Sequence, residues 1–284
     1  MSDNIEDLDH SAHVVGMDGA RVRGIIALVA LRIPPIIDPP IAFAHRGARA
    51  LARDNTIDAF RLGLEMGATG LESDVWVTSD GVPVLDHDGV VRRRLQKTPI
   101  AKVSRDTLPE HIPTLTELYE ECGTGWHLSL DVKDPQAAMP VLATMVDLSE
   151  RFGVDLLPTV WMCHPYWETL AGWKQRHPTA RFVDSTRLNR LKDGPERHAS
   201  RLADAGIDAI NMHHSDWNGG LVTLFHRFDT ACFAWDAQYD RVLAETFDFG
   251  IDGIYSDHVD RMMAAHAAAY GTAGHDRLGG SDSD

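Results

Sequence analysis

Short apolar runs alternate with amphipathic stretches along most of the chain, and this alternation predicts strands separated by helices. Ile41–Ala44 predicts a first strand. Thr56–Gly67 predicts a helix with Ala59, Phe60, Leu62, Gly63 and Leu64 around its apolar side, Asn55 as its N-cap and Gly67 as its stop. Gly70–Val77 is the next strand, Ser79-Asp80-Gly81 a turn, and Val82–Leu85 a returning extended run. Pro113-Thr114-Leu115 leads into a helix ending near Cys122. Further strands are predicted at Trp126–Val132, Thr159–Cys163, Arg181–Asp184, Ile207–Met212, Ala231–Trp235 and Ile251–Tyr255. Helices are predicted from Pro135 to Phe152, from Pro165 to His177, up to Gly206, at Gly219–Phe228, at Arg241–Gly250 and at Asp260–Tyr270.

That makes about eight strand–helix units at roughly 30-residue spacing, the length of a βα repeat. The strands are apolar along their whole length, as strands covered on both faces must be. The expected fold is therefore α/β: a (β/α)₈ TIM barrel, one domain, with a short compact insertion after the second strand region. An open doubly wound sheet is the runner-up, and the lack of a G-x-G-x-x-G after the first strand counts against a dinucleotide fold.

The chain has 284 residues, the length of one such barrel with short extensions. The expected organisation is an N-terminal extension at 1–38, partly disordered, a catalytic domain at 39–270, and a disordered acidic tail at 271–284. With hydrophobic residues at 44%, a sizeable core can be built. A net charge of −15 repels nucleic acid and anionic surfaces at long range, so a nucleic-acid partner is not expected. Arg92-Arg93-Arg94, the densest basic run, reads as a solvated loop or lid edge. Cys122, Cys163 and Cys232 are odd in number and widely spaced, which argues against a disulfide framework or a zinc ribbon.

No apolar run reaches the roughly 20 residues that span a bilayer. Gly24–Leu31 and the Ala42-Phe43-Ala44 triplet imitate an export signal, but acidic sequence precedes them and Arg32 and four prolines intervene. The expectation is a cytoplasmic protein without a stable membrane anchor, its N-terminal extension covering the bottom of the barrel. A homo-oligomer is left open.

Active-site residues of such barrels sit at the C-terminal ends of strands. The first strand ends in His45-Arg46-Gly47, the second carries Glu72 and Asp74, the return run ends in Asp86-His87-Asp88, and the third barrel strand supplies Asp131 and Lys133. Glu72 and Asp74 are two apart on a strand, so they share a face. Carboxylates held side by side in a partly buried site must be neutralised, and a hard divalent cation on oxygen ligands does so. Asp131 can add a third ligand. Solvent-facing acids on an edge strand are the plainer alternative, opposed by the apolar neighbours Leu71, Val75 and Val77. His45 and His87 at strand ends suit a proton-transfer pair. Arg46 can grip phosphate oxygens with two donors, Lys133 can add a point charge, and Gly47 lets backbone approach a ligand.

These segments, in this order, resemble the glycerophosphodiester phosphodiesterase family. The resemblance rests on His45-Arg46-Gly47, Asp54-Asn55-Thr56, Ala59-Phe60, Glu72-Ser73-Asp74-Val75, Thr78-Ser79-Asp80-Gly81, His87-Asp88, Ile112-Pro113-Thr114-Leu115, Leu130-Asp131-Val132-Lys133 and Ile251-Asp252-Gly253-Ile254 with Ser256-Asp257. It runs from about Ile41 to Val259. It implies hydrolysis of a small glycerophosphodiester to glycerol 3-phosphate and an alcohol, with a divalent cation, Ca²⁺ or Mg²⁺, as cofactor. By position, Glu72, Asp74 and Asp131 would be metal ligands, His45 and His87 the acid–base pair, and Arg46 and Lys133 the phosphate contacts. The substrate's own 2-hydroxyl would attack first, giving a cyclic phosphate that water opens. Asp131 stands where the family has Glu. Trp235, in Trp235-Asp236-Ala237-Gln238, would line the pocket, and His164, His213 and His214 are weaker candidates.

Two rivals carry different functions. One is a related barrel phosphodiesterase, phospholipase D-like, acting on lysophospholipid or sphingolipid headgroups. The spacing of His45 and Glu72 and the Asn55-Thr56 segment favour the glycerophosphodiester branch over it. The other is a non-catalytic binding protein on an eroded barrel, whose signature would be a lost histidine or carboxylate; all are present.

Overall fold

The computed structural model describes residues 32–93 and 96–271. The expectations for 1–31 and for the tail beyond Gly271, and with them Arg94 of the basic triplet, lie outside the described residues.

In chain order the elements are β1 (Ile41–His45), α1 (Ile57–Glu65), β2 (Gly70–Val77), β3 (Pro83–Leu85), β4 (Val90–Arg93), β5 (Gln96–Pro99), α2 (Leu115–Cys122), β6 (His127–Val132), α3 (Ala138–Phe152), β7 (Val160–His164), α4 (Trp167–Lys174), β8 (Arg181–Ser185), α5 (Pro195–Asp204), β9 (Ala209–His213), α6 (Gly219–His226), β10 (Ala231–Trp235), α7 (Asp240–Asp248), β11 (Gly253–Ser256) and α8 (Val259–Tyr270). Eight of the strands are parallel and follow the order β1-β2-β6-β7-β8-β9-β10-β11, with β11 pairing back onto β1. The sheet is thus closed and the open doubly wound alternative is excluded. A helix follows each of the eight strands, which is the (β/α)₈ arrangement.

Two apolar cores hold it. One lies between strands and helices, where Leu71, Val75, Leu128, Leu130, Ile210 and Ile254 meet the helical ring. The other plugs the barrel with Ile41, Phe43, Trp161, Val183, Phe233 and Tyr255. Phe43 stacks on Tyr255 with ring centroids 4.7 Å apart, and Trp161 meets Phe233 edge-on at 4.9 Å. The plug has room because two strand positions lack side chains. A Cβ on Gly70 would lie 2.5 Å from the Phe43 ring, and one on Gly253 would lie 2.7 Å from Phe233.

Helix α1 is capped by Thr56 rather than by Asn55, whose backbone sits at φ +53 and whose Oδ1 instead accepts from the buried Ser73 hydroxyl at 2.7 Å. Thr114 and Glu117 close a capping box on α2. Strand β3 runs antiparallel to the far end of β2. The segment beyond it forms the compact insertion: β4 and β5 pair as a hairpin over a small core of Val84, Val91, Ile100, Val103, Leu108 and Ile112. Within the described residues no helix is long and apolar enough to cross a membrane.

At the N-terminal end of the barrel, Asp252 anchors the chain entering β1. Its carboxylate accepts from the backbone N–H groups of Ile36 (2.6 Å), Ile37 (3.0 Å) and Cys232 (2.7 Å), and lies 2.7 Å from His226 Nε2.

Candidate active site

Strand register places the chemistry. His45 is level with Glu72, Glu72 with Ser129, Asp74 with Asp131, and Asp131 with Cys163. Alternation then turns His45, Glu72, Asp74, Ser129 and Asp131 inward, above the aromatic plug. They line a cavity of about 570 Å³ at the C-terminal mouth, together with Arg46, Arg49, Lys133, Asn211, Trp235, Gln238, Asp257 and the chain after β8. That size suits a small polar ligand.

The acidic wall is tightly tied. Glu72 Oε2 accepts from the Arg46 backbone N–H at 3.0 Å and lies 3.6 Å from His45 Nε2. Asp74 is 3.0 Å from Lys133 Nζ through Oδ1 and 3.2 Å from Arg46 Nε through Oδ2. The second contact is an ion pair without hydrogen-bond alignment, and it leaves both buried atoms without a hydrogen-bond partner. Asp131 Oδ2 accepts from Lys133 at 2.5 Å. Burial pushes the Glu72 carboxyl up to about 7; His45 draws it down, while Asp74 and Asp131 push it up again. Burial disfavours charge on Lys133, but Asp131 and Asp74 outweigh it and hold the ammonium above its ordinary value.

His45 is held from the other side. Its Nδ1 lies 2.5 Å from Asp257 Oδ1, at the end of β11. Gln238 secures Asp257 by accepting from its backbone N–H at 2.9 Å, and Arg49 stands 3.7 Å from the same carboxylate. Burial works against a charged imidazole, but Glu72 and then Asp257 outweigh it, so His45 ionises above its usual value. Burial likewise opposes the Asp257 carboxylate, yet His45 and Arg49 keep it below the ordinary range. The dyad fixes Nδ1 as the protonated nitrogen and leaves Nε2 facing the cavity.

The other expected residues fall in different places. His87 is not among the lining residues; its side chain is 47% exposed, with Nδ1 2.9 Å from Asp88 Oδ1. Its loop is nevertheless anchored beside the site, because the Asp86 N–H donates to the Asp74 carbonyl and Trp76 Nε1 donates to the Asp86 carbonyl. Trp235 lines the cavity. His164 faces outward, since alternation turns Cys163 in, and its ring meets the edge of Trp173. His213 lies at the rim, 3.2 Å from Asp236. Gly47 answers a packing need rather than a ligand: at φ +77, a Cβ there would lie 2.5 Å from the Ala59 backbone.

The residues fit a hard divalent cation in kind. Three carboxylates share one wall, and a buried Asp74 oxygen has no hydrogen bond. They are spread around Lys133 and Arg46 rather than gathered to a point. Among the described residues, the trio whose ligand atoms lie within 4.8 Å of one another is His226, Cys232 and Asp252. That trio sits at the opposite end of the barrel, and Asp252 is already saturated with hydrogen bonds. Burial also holds the Cys232 thiol well above its ordinary value, against the thiolate a metal would need. The trio is a structural anchor, and the acidic wall is where the oxygen donors that suit a hard cation stand.

Comparison with known proteins follows the same lines. The model of the Glycerophosphoryl diester phosphodiesterase family matches residues 45–261. Human Glycerophosphodiester phosphodiesterase 1 is 38% identical over 110 residues, 33% of this chain and 33% of that one. The chain thus matches about a third of the length of its mammalian relatives. A Bacillus subtilis (strain 168) protein with a provisional glycerophosphodiester phosphodiesterase name is 24% identical over 235 residues, covering 78% of this chain and 95% of that one. Among solved structures, an Oleispira antarctica phosphodiesterase in complex with the product sn-glycerol-3-phosphate superposes with a TM-score of 0.68 at 21% identity, over 80% of this chain and 96% of that one.

Proposed function

The chain belongs to the glycerophosphoryl diester phosphodiesterase family, and on that premise we propose that it hydrolyses glycerophosphodiesters to glycerol 3-phosphate and an alcohol, with His45 moving the proton. The observation that carries this reading is the position of His45, clamped by Asp257 on Nδ1 while Nε2 faces the acidic wall. The product bound to the Oleispira protein is the one this reaction releases.

A phosphodiester entering the cavity meets Arg46 and Lys133, whose donors suit the equatorial phosphoryl oxygens. A hydroxyl, from the substrate's glycerol or from water, attacks phosphorus as His45 Nε2 takes its proton. Asp257 holds the ring in the competent tautomer and stabilises the imidazolium that forms. The departing alkoxide needs a proton, from His45 returning it or from His87. His87 stands on an exposed loop, so it can serve only the part of the substrate at the cavity mouth. Glu72, Asp74 and Asp131 would hold a divalent cation, which when bound supplies positive charge to the phosphoryl oxygens. Ca²⁺ and Mg²⁺ both suit this oxygen donor set.

The test is release of glycerol 3-phosphate from a panel of glycerophosphodiesters, with chelator and with Ca²⁺ or Mg²⁺ restored. His45→Ala and Glu72→Ala serve as controls, their folding checked by circular dichroism. Turnover that needs the cation and both residues supports the assignment. No release by folded, cation-loaded protein overturns it.

One observation favours a second reading. Leu51, Tyr166 and Tyr239, on loops after β1, β7 and β10, are 66%, 65% and 69% exposed around the mouth. Apolar side chains there suit a lipid aggregate, and hence a lysophospholipid substrate. Turnover of lysophospholipid micelles faster than of the water-soluble diesters would favour it.

A further inference from the structure

One side of the cavity takes no part in the phosphate chemistry above. It is lined by Ser185 and Thr186 at the end of β8, Arg187 and Arg190 just beyond, Asn211 of β9 and Trp235 of β10. In the strand order of this barrel, β8 stands across from β1 and β9 across from β2. Those on β8, the chain after it and β9 therefore face His45, Arg46 and Glu72 from the far side of the mouth.

Asn211 is the informative member. It is 7% exposed, and its Oδ1 is buried with no hydrogen-bond partner among the described residues. A buried acceptor without a partner is costly and calls for an explanation, and one that lines a cavity is placed to bond what enters it. Ser185 is level with it in the sheet, the Thr186 N–H donates to the Asn211 backbone carbonyl, and both hydroxyl-bearing residues line the cavity with it. This wall accepts and donates hydrogen bonds at closely spaced points.

Trp235 shows what the wall does not take. A quaternary ammonium is recognised on an open aromatic face. Here the Arg187 guanidinium lies over the Trp235 ring at 5.6 Å, and His213 meets the same ring at 4.6 Å. Asp216 holds Arg187 there, 2.5 Å from Nε and 3.2 Å from Nη2. Arg190 adds a second positive charge to the rim.

We propose that this wall is a headgroup subsite that selects polyhydroxylated alcohols over quaternary-ammonium alcohols. The inference rests on the phosphodiesterase reading above. The alcohol's hydroxyls donate to Asn211 Oδ1 and exchange hydrogen bonds with Ser185 and Thr186, while Arg187 covers the aromatic face a quaternary ammonium would need and Arg190 repels a cationic group. A site built for hydroxyls discriminates strongly against a ligand lacking them, because its buried polar groups are then left unpaired.

The experiment measures kcat/KM for glycerophosphoinositol, glycerophosphoglycerol and glycerophosphocholine with wild type, Asn211→Leu and Arg190→Glu. Wild type is expected to favour the two polyol esters at least tenfold. Asn211→Leu should bring the polyol-to-choline ratio down about tenfold, the worth of one hydrogen bond. Arg190→Glu, on an exposed loop and safe for folding, should lower the same ratio by relieving repulsion of choline. A wild type that turns over the choline ester as well as the polyols overturns the proposal. So does an Asn211→Leu variant that loses activity equally on all three, since Asn211 would then serve the glycerol they share. Turnover of none of the three overturns the phosphodiesterase reading itself, and the subsite with it.

Discussion

His45 and Asp257 lie 212 residues apart in sequence, yet their side chains meet at 2.5 Å across the seam where the last strand closes onto the first. This contact sets which imidazole nitrogen is free for chemistry. Asp257→Asn keeps the shape but removes the charge and allows the amide to donate to Nδ1. The expected result is a fall in kcat of about 10²-fold or more with KM little changed. Because Asp257 helps raise the His45 pKa, the limb of the pH–rate profile belonging to His45 should also move to lower pH. An unshifted profile with normal kcat would show the contact to be structural only.

The acidic wall predicts how the cation-free protein responds to pH. Burial lifts Glu72 from its ordinary value to about 7, and His45 is also raised. In both cases the folded state holds its proton to higher pH than the unfolded chain. The contribution to stability is present at low pH and is lost as pH rises, through 4.5 to about 7 for Glu72 and above 6.5 for His45. In chelator, Glu72→Gln should therefore gain in Tm relative to wild type as pH rises from 5 to 8. Added Ca²⁺ or Mg²⁺ should reverse the order, because it binds the ionised wall of the wild type. Thermal scans at several pH values check this; parallel curves with and without cation would remove the wall as the cation site.

Much of this architecture is legible in the chain. The continuous apolar runs and the helices between them mark the barrel strands to within a few residues. The two-residue spacing of Glu72 and Asp74 puts both on the interior face, where they are found. What the sequence conceals depends on closure. Asp257 becomes a partner of His45 only when β11 pairs with β1, although its place after the last strand in Ser256-Asp257 was a clue. Arg187, Arg190 and Asn211 have no local pattern to mark them, since a loop has no period and a single Asn in a strand resembles many others. The β4–β5 hairpin was hidden because Gln96-Lys97-Thr98-Pro99 is polar and carries no alternating signal.

The anchor at the barrel bottom is predicted to matter for stability and not for metal. Asp252→Ala would leave the N–H groups of Ile36, Ile37 and Cys232 without their acceptor. A cost of more than about 3 kcal/mol is expected, since hydrogen bonds to charged groups contribute ~1.5–3 kcal/mol each and several are lost together. Chemical denaturation measures it. His226→Ala should keep the wild-type content of divalent cation by elemental analysis, whereas Asp74→Ala should lose it. The opposite pattern would move the metal to the bottom of the barrel.

His87 gives the sharpest test of proton transfer, because its exposure separates chemistry from folding. Among the described residues its side chain pairs with Asp88 alone, so His87→Ala should leave stability within ~0.5 kcal/mol of wild type. If His87 protonates the leaving alkoxide, the loss of activity must depend on the leaving group. Glycerophosphodiesters, whose alkoxides are strongly basic, should lose about 10²-fold in kcat/KM. A p-nitrophenyl phosphodiester, whose leaving group departs without a proton, should be nearly unaffected. His45→Ala should depress both if, as proposed, His45 activates the attacking hydroxyl. Equal losses on the two substrates would assign His87 to binding, and no loss on either would leave His45 to carry the proton both ways.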